Sequence, residues 1–152
     1  MGAAAAALYF LSQPVIAAES AIGAIAKGKI LFEVGGCANC HTDNKAKGPL
    51  AAGGAALKTP FGKFFAPNIT PHEEHGIGTW TDAQFIRAMR DGVAPDGSHY
   101  FPVFPYTSFT NMTDADMKAL KAFIFTLKPI AQASRPHDVG FPFKIRRAQY
   151  FW

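Results

Sequence analysis

Apolar residues recur at helical spacing in three stretches of the chain. From Ser20 to Val34 the positions Ile22, Ile25, Ala26, Ile30 and Leu31 share that spacing, which predicts a first helix. Gly28 interrupts it at a cost of about 1 kcal/mol relative to Ala, so close approach of another helix is the expected reason for it. A second helix is predicted over about Asp82 to Asp91. Thr81 or Asp82 caps it, and Phe85, Ile86, Met89 and Val93 lie along one side. The third lies in "MTDADMKALKAFIFTL". There Thr113 with Asp116 approximates a capping box, the stripe is Met117, Leu120, Phe123, Ile124 and Leu127, and Pro129 stops the helix.

The segments between these helices are polar and turn-rich. Residues 41–79 abound in Gly, Pro, Asn and Thr and read as long loops. Loops of that length are uncommon unless something organises them, and a large flat apolar ligand would do so. A second loop, "HYFPVFPYTSF", carries five aromatic residues. The pattern has no alternation of strands and helices. The expected fold is all-α, with about three to four helices and long loops wrapped around one bound group.

The ends of the chain differ from the middle. Residues 3–18, "AAAAALYFLSQPVIAA", are apolar and uncharged, and with Met1 and Gly2 they reach the low end of a membrane span of about 17–25 residues. The expected organisation is a membrane anchor or uncleaved signal over 1–19, one domain over 20–130 and an extension over 131–152. In the extension, Lys144, Arg146 and Arg147 stand with Tyr150, Phe151 and Trp152. That tail suits a membrane surface, a protein interface or simple packing along the domain.

Composition narrows the class further. A chain of 152 residues with 49% hydrophobic content has the material for one modest core. Fifteen basic residues against eleven acidic give a charge of +4 with no long basic run, so no nucleic-acid partner is expected.

Both cysteines fall in "GGCANCHTDNKAKGP", as Cys37 and Cys40, with His41 directly behind. Such a pair fits a redox disulfide, half a zinc site or a cofactor attachment point. A zinc ribbon needs four ligands and no second CxxC exists. A thioredoxin-type pair should follow a strand in a β/α pattern, which is absent. Cys-x-x-Cys-His is the c-type haem attachment signature: two thiols form thioethers with one haem, and the following imidazole binds the iron. One covalent haem c is expected. Its attachment takes place after export, which places the domain outside the cytoplasm.

The sixth iron ligand has several candidates. Met89 and Met117 sit in helical stripes and read as core residues, whereas Met112 lies in a loop just before a helix cap and is the expected ligand. His75, in the polar loop "HEEH" with His72, is the alternative. His99 and His137 have no partner at ligand spacing. The aromatics Phe61, Phe64, Phe65, Trp80, Tyr100, Phe101, Phe104, Tyr106 and Phe109 are the expected pocket, with Arg87 and Arg90 as possible counter-charges.

"GGCANCH", "TPFGKFFAPNITPHEEHGIGTWTDAQFIRAMRDGV" and "YFPVFPYTSFTNMTDADMKALKAFIFTLKPI" together resemble the class I c-type cytochrome domains of membrane-associated bacterial dehydrogenases for alcohols, aldehydes or sugars, and of related diheme cytochromes. The likeness covers residues 28 to 147. It implies one-electron transfer, with Cys37 and Cys40 as thioether anchors and His41 and Met112 as axial ligands. It also implies that the Pro49 carbonyl accepts the proximal histidine's other ring proton. Gly28 and Phe32 should pack on Leu120 and Phe123. The implied partners are a dehydrogenase as donor and an oxidase, quinone system or second cytochrome as acceptor. Members usually carry two or three such domains, and this chain has one CxxCH. The rival reading is a haem enzyme, a peroxidase or sulfur-compound oxidase with a labile sixth position.

Overall fold

A glycine at the first helix crossing sets how near the two ends of the domain approach. The computed structural model describes residues 20–143 and 145 of the chain. Helix α1 occupies residues 20–34 of the described part. A Cβ placed on Gly28 would fall on the Ala119 carbonyl oxygen and lie 2.8 Å from the Phe123 Cβ. The backbones of α1 and the C-terminal helix α4 (Asp114–Ile124) therefore meet at a point that only glycine fits. One turn on, the rings of Phe32 and Phe123 pack at 5.3 Å and 60°. Lys27 pairs with Asp116 beside the crossing. The packing of Gly28 and Phe32 on the last helix is thus present as expected.

The remaining elements hang from this pair. Gly36, left-handed at φ 65°, turns the chain from α1 into the short helix α2 (Cys37–His41). Helix α3 (Asp82–Asp91) starts with a full capping box between Thr81 and Gln84 and ends at Gly92, φ 65°. A Cβ on Gly92 would meet the Tyr106 ring at 2.6 Å, so the same glycine stops the helix and seats the 3₁₀ turn Tyr106–Ser108. In α4 the Thr113 hydroxyl accepts from the Asp116 amide at 3.1 Å. Phe32, Ala51, Ile77, Phe85, Met117, Leu120 and Ile124 form the buried core.

The four helices among the described residues, with their long loops, match the expected architecture, and a small sheet is added to it. Within the stretch read as loops, β1 (Ala56–Thr59) and β2 (Gly62–Phe65) form an antiparallel hairpin, and β3 (Asp138–Val139) adds to its far edge. The turn is "TPFG": Thr59 Oγ1 donates to the Gly62 carbonyl at 3.0 Å, and Gly62 takes φ 136°. Strands of four and two residues leave too few alternating positions to register as a period of two, which is why the pattern did not reveal them. Among the described residues no helix is long and apolar enough to cross a membrane, and the segment 1–19 lies outside them.

The crossing supplies a direct test. Gly28→Ala forces a methyl group against a helix backbone that cannot yield without shifting α4. It should cost about 2 kcal/mol or more, as overpacked cores do, measured by chemical denaturation. The same change at Gly97, where an added Cβ meets nothing within 4 Å, should avoid that packing cost.

Candidate functional site

Cys37, Cys40 and His41 all line one cavity of about 460 Å³. Gly35 and Gly36 continue that wall, and a Cβ on Gly35 would lie 3.6 Å from the Cys37 sulfur, so its absence leaves room beside the thiol. The other walls come from Phe64 and Phe65 of β2, Phe85, Ala88 and Met89 of α3, and Leu120 and Ile124 of α4. The loop before α4 contributes Tyr100, Phe101, Val103, Phe104, Pro105 and Phe109. The lining is predominantly apolar.

His41 is the most constrained polar group in this wall. Its Nδ1 lies 2.8 Å from the carbonyl oxygen of Pro67. A carbonyl only accepts, so Nδ1 carries the proton and Nε2 keeps its lone pair. Burial pushes the imidazole pKa below its ordinary value, and the smaller effect of the Pro67 bond opposes it. The ring is therefore neutral at physiological pH and presents a ready ligand nitrogen.

The acceptor is a correction to the expectation for Pro49. The Pro49 carbonyl accepts instead from the Ala52 amide at 3.2 Å, inside a local turn. Pro67 takes its place because the hairpin returns the chain to Gly53. Gly53 N donates to the His41 carbonyl at 2.7 Å, and a Cβ on Gly53 would lie 2.5 Å from the Pro67 carbonyl carbon. Three segments thus meet where only a glycine fits between the other two.

The Cys37 thiol is not prepared for redox or zinc chemistry. Burial first, then the neighbouring Cys40, push Cys37 up to about 11, and the backbone bond at its own amide only partly offsets them. The nucleophile and metal ligand is the thiolate, which such an environment disfavours. Among the described residues no three His, Cys, Asp or Glu are grouped to hold a metal ion.

Other expected residues fall partly elsewhere. Phe64, Phe65, Trp80, Tyr100, Phe101, Phe104 and Phe109 line the cavity, whereas Phe61 packs on Phe143 at 4.7 Å and Tyr106 covers Gly92. Arg90 is committed to the loop: its Nη2 donates to the Met112 carbonyl at 3.0 Å and to the Asp114 carboxylate at 2.7 Å. Met112, expected to face the iron, is not in the cavity wall. Its amide is tied to the Phe109 carbonyl, and it packs at the margin of the core. His75 reaches the rim, its ring stacked on His72 at 5.2 Å.

The family model for cytochrome c matches residues 25–128, from within α1 to beyond the end of α4. The chain belongs to the cytochrome c family. It is 46% identical over 127 residues to a diheme cytochrome c-type protein of Cereibacter sphaeroides, covering 82% of this chain and 43% of that one. It is 40% identical over 129 residues to the fructose dehydrogenase cytochrome subunit of Gluconobacter japonicus, covering 84% of this chain and 26% of the relative. It is 40% identical over 136 residues to the cytochrome c subunit of a quinone-type alcohol dehydrogenase of Gluconacetobacter polyoxogenes, covering 89% and 28%. The chain therefore spans less than half the length of these relatives. Membership implies a covalently bound haem c, and the residues present fit one. An apolar cavity adjoins two thiols at the attachment spacing and an imidazole whose Nε2 is unprotonated.

The cytochrome also uses residues whose sequence pattern gave no sign of a role. Asn68, buried at 2% exposure, follows Pro67 and anchors it. Its side-chain amide donates to the carbonyls of Ile130 (2.8 Å) and Gln132 (3.0 Å), and its side-chain oxygen accepts from the amide and hydroxyl of Thr70. Its own amide donates to Ser134 Oγ. The segment after α4 is thereby drawn over the cavity mouth, where Ser134 and His137 join the wall. The only local signal was a lone Asn between Pro67 and Ile69, which nothing in the pattern distinguishes from a turn residue.

Asn68→Ala leaves two backbone carbonyls without their donor and frees the segment carrying Pro67. Each orphaned buried group costs about 1–3 kcal/mol. The expected outcome is a matching fall in unfolding free energy, with faster amide hydrogen exchange at Ser134 and His137 than at the core of α4.

Proposed function

We propose that this cytochrome carries a single haem c, attached through Cys37 and Cys40 with His41 as proximal ligand, and relays single electrons. The observation that carries the reading is the His41 ring. It stands in the wall beside both thiols, with its Nδ1 proton held by Pro67 and its Nε2 lone pair available. When bound, the haem supplies an iron that takes up and releases one electron without a substrate. The chain's own residues fix the imidazole tautomer and keep the ring from rotating. The apolar wall excludes water and so favours the less charged state of whatever it encloses.

The relatives named as cytochrome subunits of dehydrogenases support a dehydrogenase as electron donor and a membrane acceptor, whether an oxidase, a quinone system or a second cytochrome. On this proposal the domain lies on the periplasmic side of the inner membrane as part of a respiratory chain, with residues 1–19 as the tether and 131–152 as an extension over the domain. Deleting residues 1–18 behind a cleavable export signal should leave the haem spectrum intact and lower recovery with membranes. Retention in the membrane fraction after a high-salt wash would show that another element is the tether.

Covalent attachment is checked by intact mass. The native chain should exceed the polypeptide by the mass of one haem, and both thiols should resist alkylation. Cys37→Ala or Cys40→Ala should leave little haem-bearing protein. A native chain whose two thiols alkylate fully would overturn the reading.

A further inference from the structure

The loop from which Met112 was expected to reach the iron offers neither a thioether nor an imidazole to the cavity. It presents Val103, Phe104, Pro105 and Phe109, four carbon side chains, while Met112 is turned to the margin of the core. Something else must meet the iron opposite His41, or nothing does. The geometry points to Met89 of α3 as the sixth ligand of the haem iron.

Three side chains in the wall besides the motif residues carry a thioether or imidazole, the usual partners of a histidine-ligated haem iron: Met89, His75 and His137. The two histidines are otherwise engaged. Phe65 N donates to His137 Nδ1 at 3.2 Å, so in the neutral ring the proton sits on Nε2 and no lone pair is left for a metal. His137 is also packed against the rings of Phe64 and Phe101. The ring of His75 is stacked on that of His72 at 5.2 Å, with the Glu74 carboxylate 4.0 Å from its Nε2. His75 also belongs to a polar turn at the rim, closed by its amide on His72.

Met89 has the reverse setting. It stands on a helix capped at both ends, with Phe85 and Ala88 buried beside it. The helix packs on α4 and on the 3₁₀ turn, and α2 is not among its principal neighbours. The motif and Met89 thus reach the same cavity from different elements. A thioether has no proton to lose and no hydrogen bond to break, so it binds iron at little cost to its surroundings. Helical spacing reads Met89 as a core residue, and it is one of the residues packed on the core as well as a wall residue.

This inference rests on the haem being attached through Cys37 and Cys40, so each sample is first checked for the haem mass. Met89→Leu keeps volume and hydrophobicity. In the full-length, haem-bearing protein, the wild type should show the weak long-wavelength sulfur-to-iron charge-transfer band of the ferric state and should not bind carbon monoxide when reduced. Met89→Leu should lose the band and bind carbon monoxide, with far-ultraviolet circular dichroism unchanged. Met112→Leu should keep the band. Met89→His should restore a six-coordinate iron without the sulfur band. A band lost in Met112→Leu and kept in Met89→Leu overturns the assignment. So does a haem-bearing wild type that lacks the band and binds carbon monoxide at once, which would favour an open site. A wild-type chain without the haem mass overturns the underlying reading instead.

Discussion

The hydrogen bond from His41 Nδ1 to the Pro67 carbonyl ties the attachment motif to the rest of the molecule. A single such bond contributes about 1 kcal/mol net, too little to hold three chain segments in register. What holds them is the set of contacts that place the carbonyl. Gly53 lies against Pro67 with no side chain between them, and its own amide fixes the His41 backbone. The hairpin β1–β2 brings residue 67 back to that point. Asn68 then ties the segment to Ile130, Gln132 and Ser134, beyond the last helix. The orientation of one imidazole thus depends on residues far away along the chain on its C-terminal side.

That dependence explains what could be read from the chain. Helix α3 spans Asp82–Asp91 as its pattern predicts, because its period, its Thr81 cap and its Gly92 stop are all local signals. The Gly28 crossing was legible too, since a glycine inside a strong helical pattern calls for a close neighbour. The attachment motif is a contiguous pentapeptide and needs no fold to be recognised. Pro49 and Met112 both lie away from the places expected of them, for one shared reason. Met112 was expected from its place in a loop before a helix cap and Pro49 from the resemblance, and each belongs to a segment whose position is set by its contacts in the fold. A turn closed on Ala52 turns the Pro49 carbonyl away, and Arg90 holds the backbone of Met112 beside Asp114. The hairpin escaped because strands of four residues in a Gly- and Pro-rich stretch carry almost no periodic signal.

The core and the site are largely the same residues. Ile77, Phe85, Leu120 and Ile124 belong both to the buried cluster and to the cavity wall. Each has protein on one side and the cavity on the other, so each lacks packing partners across part of its surface until a ligand lies against it. The long segment 41–79 has little regular structure and reaches the core mainly through Ala51, Ile69 and Ile77. Chains of this size bury too little apolar surface to leave such a wall unfilled at small cost. A covalently held flat apolar group would complete those contacts, which is the physical reason the loops can be long. It also predicts where the fold tolerates change. Substitutions that enlarge a wall residue compete with the ligand for space. Substitutions on the outer faces of α1 and α3 touch neither, so the attachment chemistry and the core constrain one shared surface while the exterior is left to the demands of a partner.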